Sequence, residues 1–214
     1  METKKIDTDM EEDLEGIVQK SSVEGQKKSH VKMILYNFFN FLKTIALIVI
    51  LAFIIRIFLI QPFIVEGQSM DPAFSDRDYL ITEKVSYHFK DPVRGEVIIF
   101  HPPEDPNINY IKRVVGLPGD KIQIKDGGVY INGQRLIEPY LASNEGTLVP
   151  NQTYSSLTLN SNQFYVLGDN RNHSRDSREL GPIPRENIVS HVWFRLYPFN
   201  KIRTFSSVNY LTAS

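Results

Sequence analysis

Hydrophobic residues are distributed unevenly along this chain. Residues 1–32 are polar, mixed in charge and poor in aromatics, which is typical of a segment that cannot bury enough surface to order itself. Residues 33–61 are dominated by Ile, Leu, Val and Phe. As a helix, Phe38–Ile60 would be roughly 34 Å long, enough to cross a bilayer core of about 30 Å. The pattern therefore predicts a disordered tail at 1–32 and a transmembrane anchor helix at 33–61.

The apolar run has two other interpretations. A buried helix of a soluble protein is disfavoured because the run is apolar on all faces. A cleaved signal peptide is disfavoured because the run begins far from Met1 and is succeeded by bulky residues rather than a small-x-small site. Lysines precede or open the run, and acids dominate the stretch after it (Lys27, Lys28, Lys32, Lys43; then Glu66, Asp71, Asp76, Asp78). The positive-inside rule then places the tail in the cytoplasm and everything after Gln61 outside.

Beyond the anchor, the pattern changes to short β-like runs separated by Gly, Pro and Asn. Candidate strands are Phe63–Glu66, Asp78–Tyr87, Glu96–Phe100, Asn109–Val115, Lys121–Ile124, Gly128–Ile131, Gln163–Leu167 and Ile188–Leu196. Turn residues such as Asn132-Gly133 suit tight hairpins. This spacing predicts a mostly β, antiparallel domain over 62–214. Residues 141–162 have weak periodicity and are predicted to be a flexible excursion.

Composition excludes several classes of function. The formal net charge of the 214 residues is −1, which argues against a nucleic-acid partner. The absence of cysteine excludes disulfides, thiolate metal sites and a cysteine nucleophile.

Ser69 is the first candidate for chemistry. It lies in Gln68-Ser69-Met70-Asp71-Pro72, just after the anchor and before the first long strand. A serine in such a sequence is commonly a turn residue. As a nucleophile, it would need a nearby base to accept its proton.

Lys112 is the candidate base. In an alternating strand, Tyr110, Lys112 and Val114 share one face, and the other two residues indicate that this face is buried. The alternative is a lysine on a solvated face. Burial lowers a lysine pKa because the charged form loses its water. Lowering it from about 10.4 to near 7 costs roughly 4–5 kcal/mol, which a fold retains mainly where a neutral amine is useful.

A third candidate is the segment 168–178, Gly-Asp-Asn-Arg-Asn-His-Ser-Arg-Asp-Ser-Arg, which comes after an apolar strand. Asp176 and Arg178 can pair within it, and Ser174 can hydrogen-bond a catalytic amine. A solvated loop is the alternative. A serine–histidine–acid triad, or a metal site at His173 and Asp176, has less support. None of His88, His101, His173 and His191 has a second histidine at metal-ligand spacing or lies in a known triad context.

Taken together, these residues resemble the type I signal peptidases, membrane-bound serine–lysine endopeptidases that remove signal peptides from exported proteins. The resemblance covers the anchor and the region from Gln61 to about Tyr197. It is carried, in order, by 68–72, Arg94-Gly95-Glu96-Val97-Ile98-Ile99-Phe100, 110–120 and 168–178. The single anchor is similar to the Gram-positive and cyanobacterial form.

The resemblance implies a role for each matching residue. Ser69 is the nucleophile, Lys112 is the general base, Ser174 hydrogen-bonds and orients the lysine amine, and Asp176 and Arg178 brace that segment. The backbone N–H of Ser69 is one oxyanion donor. A second donor in some members is a serine hydroxyl two positions earlier, where this chain has Gly67. Glu96 stands where aspartate is common.

The resemblance also implies the fold and the substrates. The fold is a signal-peptidase/LexA-like antiparallel β domain with a small β-rich insertion, at about 121–162. Substrates are secretory preproteins cleaved after a small-x-small site, without cofactor or metal. The resemblance further implies shallow apolar pockets for the substrate side chains, with walls formed by Phe63, Val65, Met70, Tyr110 and Ile111. Residues 61–66 can pair with an extended substrate by strand addition.

The same family places the protein in the bacterial plasma membrane, with the lipid bilayer and the secretion translocon as partners. Two other classes of protein are alternatives to a signal peptidase. A self-cleaving repressor-like protease would need a DNA-binding helical module and no anchor. A catalytically silent, membrane-tethered β domain would bind an envelope partner, but would have no reason to keep both Ser69 and Lys112.

Overall fold

The computed structural model describes residues 32–53, 60–141, 146–207 and 210–212. The chain divides into two compact units, residues 1–54 and 55–214. The predicted tail lies outside the described residues, except for Lys32.

The first unit contains helix α1, Lys32–Phe53, whose 22 residues span about 33 Å. By length and composition, this helix can cross a membrane. Its large apolar side chains are exposed within its own unit, as expected of a lipid-facing helix. The predicted anchor extends further, to residue 61. Residues 54–59 lie outside the described part, while Ile60 and Gln61 belong to a strand.

The second unit is built from β-strands and short helical turns. The strands are β1 (Ile60–Ile64), β2 (Tyr79–Glu83), β3 (Val97–Phe100), β4 (Tyr110–Gly116), β5 (Lys121–Lys125), β6 (Gly128–Ile131), β7 (Gln134–Ile137), β8 (Ser156–Thr158), β9 (Gln163–Leu167), β10 (Ile183–Pro184), β11 (Ile188–Tyr197), β12 (Arg203–Thr204) and β13 (Leu211–Thr212). Helix α2 is Ser177–Leu180, and 3-10 turns are Val85–His88, Gln152–Tyr154, Arg171–His173, Arg185–Asn187 and Phe199–Lys201.

Two antiparallel sheets account for these strands. The larger has the order β1-β2-β11-β3-β4-β9-β10, with β12 paired to β11. The smaller has the order β13-β7-β6-β5-β8. Strand β4 is central to the larger sheet: Lys112 is opposite Ile98 of β3, and Arg113 is opposite both Val97 and Leu167. The prediction of a mostly β, antiparallel domain is confirmed.

Apolar residues pack in three clusters around these sheets. One, including Val65, Met70 and Ile111, lies beneath the turn that comes after β1. Another, including Val114, lies against β3 and β9. A third joins the smaller sheet to Val115 and Leu167. Strand β4 contributes to all three, and every residue from Ile111 to Gly116 is buried.

The structure differs from the predicted elements in the bounds and in the number of strands. The predicted strand Phe63–Glu66 is β1, at Ile60–Ile64, and β7, β8, β10, β12 and β13 were not predicted. The predicted strand Asp78–Tyr87 is a shorter strand, β2, and a 3-10 turn after it. Residues 141–162 are not wholly an excursion, because β8 pairs with β5 and Leu159 is buried in the third cluster. Residues 142–145 of this prediction lie outside the described part. A partner strand and a buried leucine order residues 156–159, which have little periodicity of their own.

Candidate active site

Ser69 lies in a turn fixed by backbone hydrogen bonds and by buried side chains. Met70 and Phe74 of this turn are fully buried, and the Phe74 N–H donates to the Met70 carbonyl. The Asn170 N–H donates to the Ser69 carbonyl at 3.1 Å, which ties the turn to the segment after β9. The nucleophile candidate is therefore held from two sides, with its hydroxyl facing a cleft.

Lys112 brings its amine to this hydroxyl. Its Nζ lies 2.7 Å from Ser69 Oγ and donates to the Ile111 carbonyl at 2.8 Å. The amine is also 5.4 Å from the centroid of the Tyr110 ring, on the face that the strand alternation assigns to both residues. The lysine is only 4 % exposed, so its charged form lacks most of its water.

This environment favours the neutral amine. Burial lowers the pKa of Lys112 from 10.5 to about 8; Asp176 and then Asp169 act in the opposite direction, and Arg178 assists burial. Desolvation dominates because the carboxylates are already engaged by arginines. A pKa near 8 leaves a useful fraction of the lysine unprotonated near neutral pH.

Asp176 organises the segment next to the lysine. Its fully buried carboxylate accepts from the Gly168 N–H at 2.9 Å and the Ser174 hydroxyl at 2.7 Å. It also accepts from the N–H, Nε and Nη2 of Arg178, with the Nε contact at 2.8 Å. Arg178 in turn donates to the carbonyls of Leu148 and Arg171. The predicted pair of Asp176 and Arg178 thus forms one buried network.

Ser174 has a different partner from the one predicted. Its hydroxyl donates to Asp176, whereas the hydrogen bonds of the Lys112 amine within the described residues go to Ser69 and Ile111. The carboxylate, being charged, is the stronger acceptor. Ser174 is nevertheless close to the site: a Cβ on Gly168 would collide with Ser174 Oγ and lie 2.5 Å from the Ser69 carbonyl oxygen. Only glycine fits at position 168.

Two further buried ion pairs flank the site, and neither was predicted. Arg113 binds Asp169 through two hydrogen bonds of 2.8 and 2.6 Å, and Arg171 pairs with Glu138, which comes directly after β7. The Arg113 guanidinium also lies 4.3 Å from the centroid of the Tyr140 ring. Because Asp169 and Arg171 are the two neighbours of Asn170, these contacts fix the backbone on both sides of Asn170.

The backbone N–H of Ser69 is a free donor. Within residues 60–141 and 146–207, it has no hydrogen-bond acceptor. Gly67 is arranged differently: it has a φ of 88°, and its N–H donates to Asp76 Oδ1 at 2.8 Å. A serine at position 67 would be strained in this conformation, which accounts for the glycine. Glu96 lies away from the cleft, where its carboxylate accepts from Tyr87 and from the Val93 N–H.

A cleft of about 680 Å³ opens beside Ser69 and Lys112. Of the predicted substrate-contacting residues, Phe63, Tyr110 and Ile111 line it. Val65 and Met70 do not; they are 1 % and 0 % exposed and belong to the core cluster beneath the turn. Arg175, which the prediction omitted, also lines the cleft.

The four histidines considered for a triad have partners elsewhere. His88 contacts the Lys84 carbonyl, His101 the Ile108 carbonyl, and His173 the Asn170 side chain. His191 lies 3.5 Å from Glu83. The described residues therefore offer Lys112, rather than an imidazole, as the base nearest Ser69.

Comparisons with known proteins identify the family of the chain. The profile of the family "Signal peptidase, peptidase S26" matches residues 38–197. A signal peptidase I of Leptolyngbya laminosa is 42 % identical over 168 residues, 75 % of this chain and 80 % of that protein. A signal peptidase I of Bacillus licheniformis is 37 % identical over 174 residues, 78 % of this chain and 92 % of that protein. A crystal structure of a signal peptidase I from Enterococcus faecalis is 32 % identical, with a TM-score of 0.41 over 48 % of this chain and 97 % of that one.

The chain belongs to the signal peptidase family, peptidase S26, and is a serine endopeptidase of the signal peptidase I type, whose substrates are preproteins with signal peptides.

Proposed function

We propose that the chain is a membrane-anchored endopeptidase that cleaves signal peptides with a Ser69–Lys112 dyad, after a small-x-small site. The observation that carries the proposal is the 2.7 Å separation between Ser69 Oγ and the buried Lys112 amine. A hydroxyl needs such a base to become a nucleophile.

Acyl transfer then proceeds in two steps. The neutral Lys112 amine takes the Ser69 proton as Oγ attacks the carbonyl carbon of the scissile bond. The protonated lysine returns this proton to the leaving amine, which frees the mature protein and leaves the signal peptide esterified to Ser69. Lys112 then deprotonates a water molecule that hydrolyses the ester. The Ser69 N–H, which has no acceptor within residues 60–141 and 146–207, is the proposed donor to the oxyanion formed at each step.

Substrate binding is proposed to use the edge of the larger sheet. Strand β1 is the terminal strand of that sheet, and its residues Gln61–Ile64 line the cleft. An extended segment of the preprotein can therefore pair with it by strand addition. Phe63, Tyr110 and Ile111 line the cleft, and their apolar side chains are the proposed walls that select small substrate side chains.

Helix α1 is proposed to anchor the protein in the bacterial plasma membrane as a single span. With the N-terminal tail in the cytoplasm, the β unit lies on the outer side, where a translocated preprotein presents its cleavage site. This places the lipid bilayer and the secretion translocon among the partners. The lysines that precede or open the span support this orientation.

The proposal is tested by incubating the detergent-solubilised full-length protein with an exported precursor and determining the new N-terminus by mass spectrometry. We expect cleavage after an Ala-x-Ala-like site, abolished in Ser69→Ala and retained in Ser206→Ala, which removes an exposed serine outside the cleft. Cleavage that persists in Ser69→Ala, or that occurs only at unrelated sites, would contradict the proposal.

The rate of cleavage should depend on pH through Lys112. Because the active form is the neutral amine and its pKa is about 8, kcat/KM should rise nearly tenfold per pH unit well below 8 and level off above it. Asp176 and Asp169 raise this pKa, so Asp169→Asn should move the profile to lower pH in any variant that remains folded. A profile that is flat between pH 6 and 9 would exclude Lys112 as the titrating base.

A further inference from the structure

Arg175 differs from the three residues that follow it in the exposure of its side chain. Asp176, Ser177 and Arg178 are at most 2 % exposed, whereas the Arg175 side chain is 55 % exposed. It lines the same cleft as Ser69 and Lys112. A half-exposed arginine that lines the cleft is placed to contact a bound substrate.

Few charged residues line the cleft, so the charge of Arg175 is not duplicated there. Of its lining residues, only Glu66, Lys112 and Arg175 carry a formal charge. Lys112 must be neutral to act as a base, so Arg175 supplies the permanent positive charge of this cleft. The Tyr110 hydroxyl and the Glu104 carboxylate raise the pKa of Arg175, which remains cationic throughout the working range.

The partners of Arg175 are replaceable. Its guanidinium lies 2.7 Å from Glu104, in the connection between β3 and β4, and 3.8 Å from Glu179. Both carboxylates are more than 40 % exposed. Exposed pairs of this kind contribute at most about 1 kcal/mol, and the guanidinium has five N–H donors. A substrate carboxylate can therefore bind without the loss of a strong existing interaction.

Arg175 shares one cleft with the reacting groups, since Ser69, Lys112 and Arg175 all line the same volume of about 680 Å³. Its chain neighbour Ser174 lies next to the turn that holds Ser69, because a Cβ on Gly168 would contact both Ser174 Oγ and the Ser69 carbonyl oxygen. An extended chain advances about 3.3–3.6 Å per residue. A substrate extended through a cleft of this size would have only a few residues between Arg175 and the cleaved bond.

We propose that Arg175 is a specificity-determining residue, which favours preproteins with an acidic side chain within about three residues of the cleavage site and disfavours those with a basic one. This inference rests on the proposed endopeptidase activity. Glu104 moderates the preference, because it competes with the substrate carboxylate for the same guanidinium.

The experiment uses the full-length protein and peptides spanning one cleavage site, with Glu, Gln or Lys at each variable position within three residues of the bond. For the wild type, kcat/KM should be roughly threefold or more higher with Glu than with Lys at one or more positions, the size expected of an exposed ion pair. Arg175→Gln should bring this ratio close to one, Arg175→Glu should invert it, and Arg175→Lys should preserve its direction.

Two further measurements separate charge recognition from a general effect on the fold. Glu104→Gln leaves Arg175 in place and should increase the Glu-to-Lys ratio. Salt at about 1 M should reduce the wild-type ratio, since the screening length falls to about 3 Å. Arg135→Gln, which removes an exposed arginine of β7 outside the cleft, should leave the ratio unchanged.

The outcomes are distinct. Equal cleavage of the Glu and Lys peptides by the wild type, an unchanged ratio in Arg175→Gln, or no increase in Glu104→Gln would overturn the role of Arg175. Failure of the wild type to cleave any peptide or precursor would instead contradict the proposed function itself.

Discussion

Replacing Lys112 with methionine is expected to reduce kcat/KM by about 10²- to 10⁴-fold, the usual contribution of a general base. Methionine keeps much of the length and apolar stem of lysine but cannot accept a proton. The nearest described histidines have other partners, so none can substitute for the amine. The loss should be measured on a peptide substrate across pH, because the remaining activity should no longer show the rise towards pH 8.

The same substitution should stabilise the fold. A pKa of about 8 rather than 10.5 corresponds to about 3 kcal/mol that the folded protein loses by holding a buried charge. This cost applies in full below pH 8, where Lys112 is protonated in both the folded and the unfolded chain. Between pH 8 and 10.5 only the unfolded chain keeps the proton, so the stability of the folded protein rises with pH and the cost disappears. We expect Lys112→Met to be roughly 1–3 kcal/mol more stable than the wild type near pH 7, with the difference shrinking above pH 8.

Lys121→Met is the matched control, since Lys121 is exposed at the start of β5. It should change neither activity nor the pH dependence of stability. A Lys112→Met variant that cleaves at the wild-type rate would remove Lys112 from the mechanism. A variant that is inactive but less stable would indicate a lysine kept for structure rather than for chemistry.

Asp176→Asn is expected to destabilise the protein by about 3–5 kcal/mol, because it leaves the Arg178 cation buried without its counter-ion. All five groups around this carboxylate are donors. An asparagine must therefore turn its NH₂ group towards another donor, whichever way its amide is placed. Denaturation by urea, monitored through Trp193, the single tryptophan, measures the free energy of unfolding.

The neighbouring surface pair provides the comparison. Glu179→Gln removes an exposed carboxylate 3.8 Å from Arg175 and should cost less than about 1 kcal/mol. The double variant Asp176→Asn/Arg178→Met should lose less stability than the sum of its single variants, since the second change removes the unpaired cation. Additive losses would mean that the two residues do not form one unit.

Hydrophobic periodicity predicted the longer strands of the larger sheet, but not its short strands β10 and β12, and it predicted only β5 and β6 of the smaller sheet. Strands such as Gln163–Leu167 carry enough apolar and β-branched residues to be recognised alone. Ser156–Thr158 is short and polar, and it is a strand because β5 lies beside it. Its order depends on a partner more than 30 residues away, which local pattern does not report.

The site shows the same limit. Strand alternation identified Lys112 as a lysine on a buried face, but only a family resemblance connected it to Ser69, which is separated from it by 43 positions. Val65 and Met70 are apolar residues beside a nucleophile, and sequence cannot distinguish a cleft wall from the core beneath it. The pairs Arg113–Asp169 and Arg171–Glu138 were missed because the two residues of each pair are more than 30 positions apart in the chain.

Lys112 occupies an interior position of a strand with neighbours on both sides, rather than a loop. Because side chains alternate along a strand, a slip of one residue against β3 or β9 would turn the amine to the opposite face and put Arg113 in its place. The proposed Ser69–Lys112 dyad therefore depends on the correct register of β4 against both of its neighbours.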